Sequence, residues 1–178
     1  MERQAFLFQS LARVDRQQWS AMFTFYLNMA ERFRVFFPDD EMLGGGRQEF
    51  LDLPSAVVRS WEGMSRCVAV SGPITTEAME ALLQRETRGT VPRLWSFELL
   101  AGGDCILRVE DFTVCLVFAA DDELQALQRL GVHTAELVAV NLAPKLPADE
   151  RVVPLTDDEV EDMQEQLRRN LDEADDKP

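Results

Sequence analysis

Across residues 94–118 the apolar side chains recur with a period of two, and this stretch constrains the fold more than any other part of the chain. Trp95, Phe97 and Leu99 alternate with Ser96 and Glu98, which predicts a strand with one face turned inward. Ala101-Gly102-Gly103-Asp104 is a hairpin signal, because glycine supplies the positive φ that a tight turn needs. The returning strand, 105–110, sets Cys105, Leu107 and Val109 against Ile106, Arg108 and Glu110. After a turn near Asp111, the nearly all-apolar segment 113–118 reads as a strand at the centre of a sheet. The expected class is therefore α+β: an antiparallel sheet of about four or five strands, with the meander 94–118 central, packed with helices.

The helices declare themselves by their starts. Asp15 and Gln18 have the spacing of a capping box, with Val14 and Trp19 placed as a hydrophobic staple. The helix that follows is expected to run over 16–37, to Pro38. Its polar positions are few (Gln17, Ser20, Thr24, Asn28, Glu31), so it is either the central element of the domain or half of a homodimer interface. Residues 38–54 read as a loop, 55–62 as a short helix with Trp61 inward, and 67–71 as a short strand. Thr75 opens a helix over 76–87, with Ile74 and Met79 as its staple and Gly89 beyond its end. A helix over 122–130, stopped by Gly131, and a strand over 136–142 follow, with a looser extended segment at 151–153. The last helix begins at Thr156 with a capping box to Glu159 and a staple between Leu155 and Val160. Its apolar stripe is Val160, Met163, Leu167 and Leu171, and its other faces are acidic. One domain over 1–171 and a frayed acidic tail over 172–178 are expected.

Charge narrows the function. The chain has 178 residues and a formal charge of −14, from 32 acids and 18 bases. Residues 149–178 hold 12 acids and 4 bases, so more than half the net charge sits in the last 30 residues. This balance disfavours nucleic acid and anionic membranes, which need clustered positive charge. The longest apolar run, 114–120, falls far short of the roughly 20 residues that span a bilayer. The start of the chain lacks the basic and apolar regions of a secretory signal, and the three cysteines suit a reducing compartment, so a cytoplasmic protein is expected. Among the bases, 16 are Arg and only Lys145 and Lys177 are Lys, which fits a bacterial genome composition.

The motifs with chemical potential all have plainer explanations. Asp-Asp-Glu occurs at 39–41, 121–123 and 157–159, and carboxylates are ligands for Mg²⁺ or Mn²⁺. The second and third triplets sit at helix starts, where acids offset the positive end of the helix dipole. Gly44-Gly45-Gly46-Arg47 lacks the pattern of a phosphate-binding loop. Cys105 and Cys115 lie in apolar strand patterns, the single His133 follows a helix-ending glycine, and no Cys-x-x-Cys zinc spacing exists. No serine stands in a Gly-x-Ser-x-Gly elbow. No catalytic residue, metal ligand or cofactor is assigned.

The expected function is a non-catalytic acidic protein-binding module that captures a basic protein partner, in the manner of an immunity protein, an inhibitor or a secretion chaperone. The contact residues are Asp157, Asp158, Glu161, Asp162 and Glu165, on the outer face of the last helix. A carboxylate-metal-dependent hydrolase and a structural homodimer joined through helix 16–37 are the alternatives.

Overall fold

The computed structural model describes residues 3–8, 15–38, 45–61, 66–89 and 91–142. The chain divides at Leu142, and the second unit, 143–178, lies outside the described residues. The extended segment 151–153, the helix over 156–171, and the contact residues Asp157, Asp158, Glu161, Asp162 and Glu165 all fall there.

The described residues of the first unit form an antiparallel sheet of eight strands, not four or five. The strands are β1 (Gln4–Phe8), β2 (Arg32–Pro38), β3 (Val57–Ser60), β4 (Cys67–Pro73), β5 (Ser96–Ala101), β6 (Asp104–Glu110), β7 (Val114–Ala119) and β8 (Leu137–Ala139). Their order across the sheet is β3-β4-β2-β5-β6-β7-β1-β8. The meander β5-β6-β7 is present and occupies the middle of the sheet, as its alternation requires. The helices are α1 (Arg16–Met29), α2 (Arg47–Leu51), α3 (Thr76–Leu83) and α4 (Asp121–Arg129). Among the described residues no helix is long and apolar enough to cross a membrane.

The largest correction concerns the helix expected over 16–37. Asp15 caps its start, its carboxylate accepting from the Gln17 N–H at 3.1 Å, but the helix stops at Met29. Ala30 is extended, and Arg32–Pro38 continues as a strand with Phe33, Val35 and Phe37 inward and Arg32 and Arg34 outward. The alternation of arginine with aromatic and β-branched residues favours a pleated strand over a further two helical turns. β2 then pairs with β4 on one side and β5 on the other, so this half of the expected dimer helix lies in the middle of the sheet.

Three smaller corrections have local causes. Residues 57–60 form an edge strand rather than a helix, since Val57 and Val58 pair with Ser71 and Val70 of β4. The helix after Thr75 is capped as expected, Thr75 Oγ1 accepting from the Ala78 N–H at 3.2 Å. Its last turn, Gln84–Arg88, is π-helical, with the Thr87 hydroxyl bonded back to the Leu83 carbonyl. In β6 a bulge opposite Leu99 and Leu100 pairs them with Leu107 and Cys105 respectively. Ile106 therefore joins Leu107 in the core, and Cys105 moves to the other face.

Register makes the two faces of the sheet unlike. One row runs Val58, Val70, Val35, Phe97, Val109, Cys115, Phe8, Leu137, entirely apolar across all eight strands. The four helices of the described residues pack on this side: Trp19, Met22, Phe23, Tyr26 and Leu27 of α1, Phe50 of α2, Ala78, Ala81 and Leu82 of α3, and Leu127 of α4 share one core with it. The spacing of three and four in α1 gives a helix one broad buried stripe. It leaves an outward side of Gln17, Ser20, Ala21, Thr24 and Asn28.

Candidate binding face

The neighbouring row reads Val57, Ser71, Arg34, Glu98, Arg108, Leu116, Leu7, Val138 and points to the side away from the helices. Eight strands at about 4.8 Å make this face roughly 34 Å wide. At its middle, Glu98 of β5 sits between an arginine on each flanking strand. Arg34 Nη1 donates to Glu98 Oε2 at 2.9 Å, and Arg108 Nε lies 3.1 Å from Glu98 Oε1 and 3.0 Å from Glu110 Oε1. The Glu98 side chain is 8% exposed, whereas those of Arg34 and Arg108 are 45% and 39% exposed. One buried carboxylate thus fixes two arginine side chains that stay partly exposed, a pre-organised arrangement for recognising carboxylate or phosphate. Cys105 lies near this cluster, and burial together with the Glu98 charge pushes its thiol up to about 12.

Beside the charged row stands an aromatic group. Trp61, just after β3, packs on Phe36 with ring centroids 4.8 Å apart and on Trp95 at 6.3 Å. Phe112 packs against the same cluster, which also holds Cys67 and Ala69. Trp95 is therefore out of phase with Phe97 and Leu99, contrary to the alternation read from sequence, because it precedes the first residue of β5. Its indole donates to Asp111 Oδ1 at 2.9 Å, the Asp111 N–H donates to Ser96 Oγ at 3.0 Å, and the Phe112 N–H donates to the Trp95 carbonyl at 2.9 Å. These bonds hold Asp111 and Phe112 at φ of +48° and +58°, a left-handed pair that costs non-glycine residues about 1–2 kcal/mol each. The cluster and the turn between β6 and β7 brace each other.

The residues singled out from sequence are dispersed rather than gathered. In the triplet 121–123, Asp121 and Asp122 are exposed in the first turn of α4. Glu123 reaches back to the Ala120 N–H at 2.9 Å and takes a forked hydrogen bond from Arg3, with the shortest distance 2.7 Å. Burial opposes its ionisation, but the bonds from Arg3 and Ala120 outweigh it and hold the carboxyl below its ordinary range. The triplet at 39–41 lies outside the described residues. Cys115 is fully buried in β7 and Cys67 is buried in β4, and burial raises both thiols. His133 is exposed and shares two hydrogen bonds with the Gln18 side chain. Gly46 has φ +91° and leaves the room that the Arg85 guanidinium occupies, so a glycine in the segment expected to be a loop serves a close approach. Arg85 there binds Glu49 at 2.8 Å and the Pro92 carbonyl at 3.1 Å. On the outward side of α1 an open groove of about 890 Å³ is lined by Gln17, Ser20, Ala21, Thr24, Phe25 and Met29, among others.

No protein-family model matches the chain, and neither a curated protein nor a solved structure does. The functional reading rests on geometry and charge.

Proposed function

We propose that this protein is a non-catalytic binding module that captures a basic protein partner through the acidic residues Asp157, Asp158, Glu161, Asp162 and Glu165. The observation that supports this reading is how the acids of the first unit are used. Glu49 pairs with Arg85, Glu80 with Arg88, Glu86 with Arg93, Glu98 with Arg34 and Arg108, and Glu123 with Arg3. Asp15 caps α1, Glu31 accepts from the Gly102 N–H, and Asp111 holds Trp95. These carboxylates are committed where they stand, whereas residues 149–178 carry a surplus of eight negative charges. A localised surplus speeds encounter with a basic surface and selects against acidic ones.

The test is a quantitative pull-down from host lysate with the full chain and with a variant in which the five residues are changed to Asn or Gln. The captured protein is expected to be basic, to be lost at least about tenfold in the variant, and to elute at high salt. A partner retained by the variant and resistant to salt refutes the proposal.

A structural homodimer is the second reading, favoured by the groove on α1. The outward side of α1, with Gln17, Ser20, Ala21, Thr24 and Asn28, carries no charged side chain, and depletion of charge is a compositional mark of an interface. Light scattering is expected to give twice the chain mass, and a monomer at high concentration rules this out.

A further inference from the structure

The side of the sheet away from the helices is a second surface, opposite in sign to the C-terminal residues, and it goes beyond capture of a basic partner. It presents Arg32, Arg34, Arg59 and Arg108 against Glu98, Glu110 and Asp111, the last held by the Trp95 indole. Arg32 and Arg59 are exposed, and among the described residues no carboxylate lies against either. Arg34 and Arg108 are held by Glu98 yet remain partly exposed, so little side-chain freedom is lost when they engage a ligand. Next to them Trp61 is half-buried over Phe36 and Trp95, and Val57 at the sheet edge is 44% exposed. Among the described residues no helix packs on this side.

We propose that this face docks an extended acidic segment of a partner protein, its carboxylates on the four arginines and its apolar side chains on Trp61 and Val57. Fixed guanidinium forks suit carboxylates, and an aromatic anchor beside them supplies the desolvated contact that gives an interface its affinity. Nucleic acid fits less well. Its binding draws on many phosphate contacts over a positive field, and a chain of net charge −14 supplies no such field.

The experiment uses fluorescence anisotropy on the full chain with three labelled probes. These are a peptide of about 12 residues alternating Glu with Leu and Phe, its Lys counterpart, and a single-stranded RNA of similar length. The acidic peptide is expected to bind, to quench or shift the emission of Trp61, and to weaken about tenfold between about 50 and 300 mM salt. Arg32→Glu with Arg59→Glu is expected to weaken it about tenfold or more, with an unchanged circular dichroism spectrum because both side chains are exposed. A Trp61→Phe variant should lose the emission change. The proposal is overturned if the acidic peptide does not bind, if the Lys peptide binds equally well, or if the double variant has no effect. RNA binding that the double variant abolishes, or self-association that it abolishes, also overturns it and reassigns the face. None of these outcomes bears on the C-terminal capture, which is read with a basic ligand and different variants.

Discussion

Replacing Arg93 by alanine is expected to destabilise the first unit by about 3–5 kcal/mol at neutral pH, the usual cost of stripping the partner from a buried charge. The Glu86 side chain is fully buried. Its Oε2 accepts from Arg93 Nη2 at 2.8 Å and Nε at 3.0 Å, and its Oε1 accepts from the Leu94 N–H at 2.9 Å. Burial raises its carboxyl above the ordinary range, and Arg93 is the chief opposing influence. The sign of the pH dependence follows. An acid whose folded pKa is raised favours the folded state most when protonated, and that contribution is lost as pH rises through the folded value. Without Arg93 the carboxyl climbs further, so the penalty is largest at about pH 8 and shrinks toward about pH 5.5. That range stays above the isoelectric point near 4.4, where solubility falls. Urea unfolding across it checks the result. Adding Glu86→Gln to Arg93→Ala should recover most of the loss, because a neutral amide needs no cation. A penalty that is flat with pH and not recovered by Glu86→Gln would instead assign the effect to packing of Arg93 over the Trp19 ring, 4.8 Å away.

The parts of this fold that were legible in the sequence are those in which one local signal acts alone. The Gly102-Gly103 turn, the Thr75 cap and the Gly89 stop each satisfy backbone groups within a few residues, and each stands where it was expected. What was missed depends on pairing partners far along the chain. Arg32–Pro38 follows a helix without a glycine or proline between them, so only the alternation Arg-Phe-Arg-Val marks the change. β1, five residues of which only Phe8 is fully buried, becomes a strand because β7 and β8 flank it. The bulge that moves Cys105 to the outer face is set by the register with β5, and nothing in residues 105–110 announces it.

The candidate face was legible only in fragments. Arg34, Glu98 and Arg108 come from three strands, and their meeting is fixed by two registers that no local pattern encodes. The alternation sets Glu98 on the polar side of β5, where it stands, but its role depends on the two arginines that pairing brings beside it. The sequence pattern turns Trp61 inward on a helix, whereas it lies over the sheet side opposite the helices. The signal that would have found the face is the pair of alternating arginines in a strand destined for the middle of the sheet, where a solvent-facing charge at the centre of eight strands calls for a partner.

Phe97→Ala is the other change with a large expected effect, about 3–5 kcal/mol, because it opens a cavity at the middle of the central row. Phe97 is fully buried between Val35 and Val109 and meets Phe23 of α1 edge to face, at 5.7 Å and 90°. Phe23 stacks in turn on Trp19 at 5.6 Å, and Trp19 donates its indole N–H to the Glu86 carbonyl at 2.9 Å. The sheet, α1 and the buried Glu86–Arg93 pair are therefore joined through two aromatic rings. Phe97→Leu keeps most of the volume and should cost less than about 1.5 kcal/mol. If the chain of contacts acts as one unit, Phe97→Ala and Arg93→Ala will not add: the double variant should depart from the sum by more than about 0.5 kcal/mol, measured by urea unfolding of the four proteins of the cycle. Additivity within that margin would mean that the ring stack isolates the two sites, and that the buried ion pair is held by the π-helical turn alone.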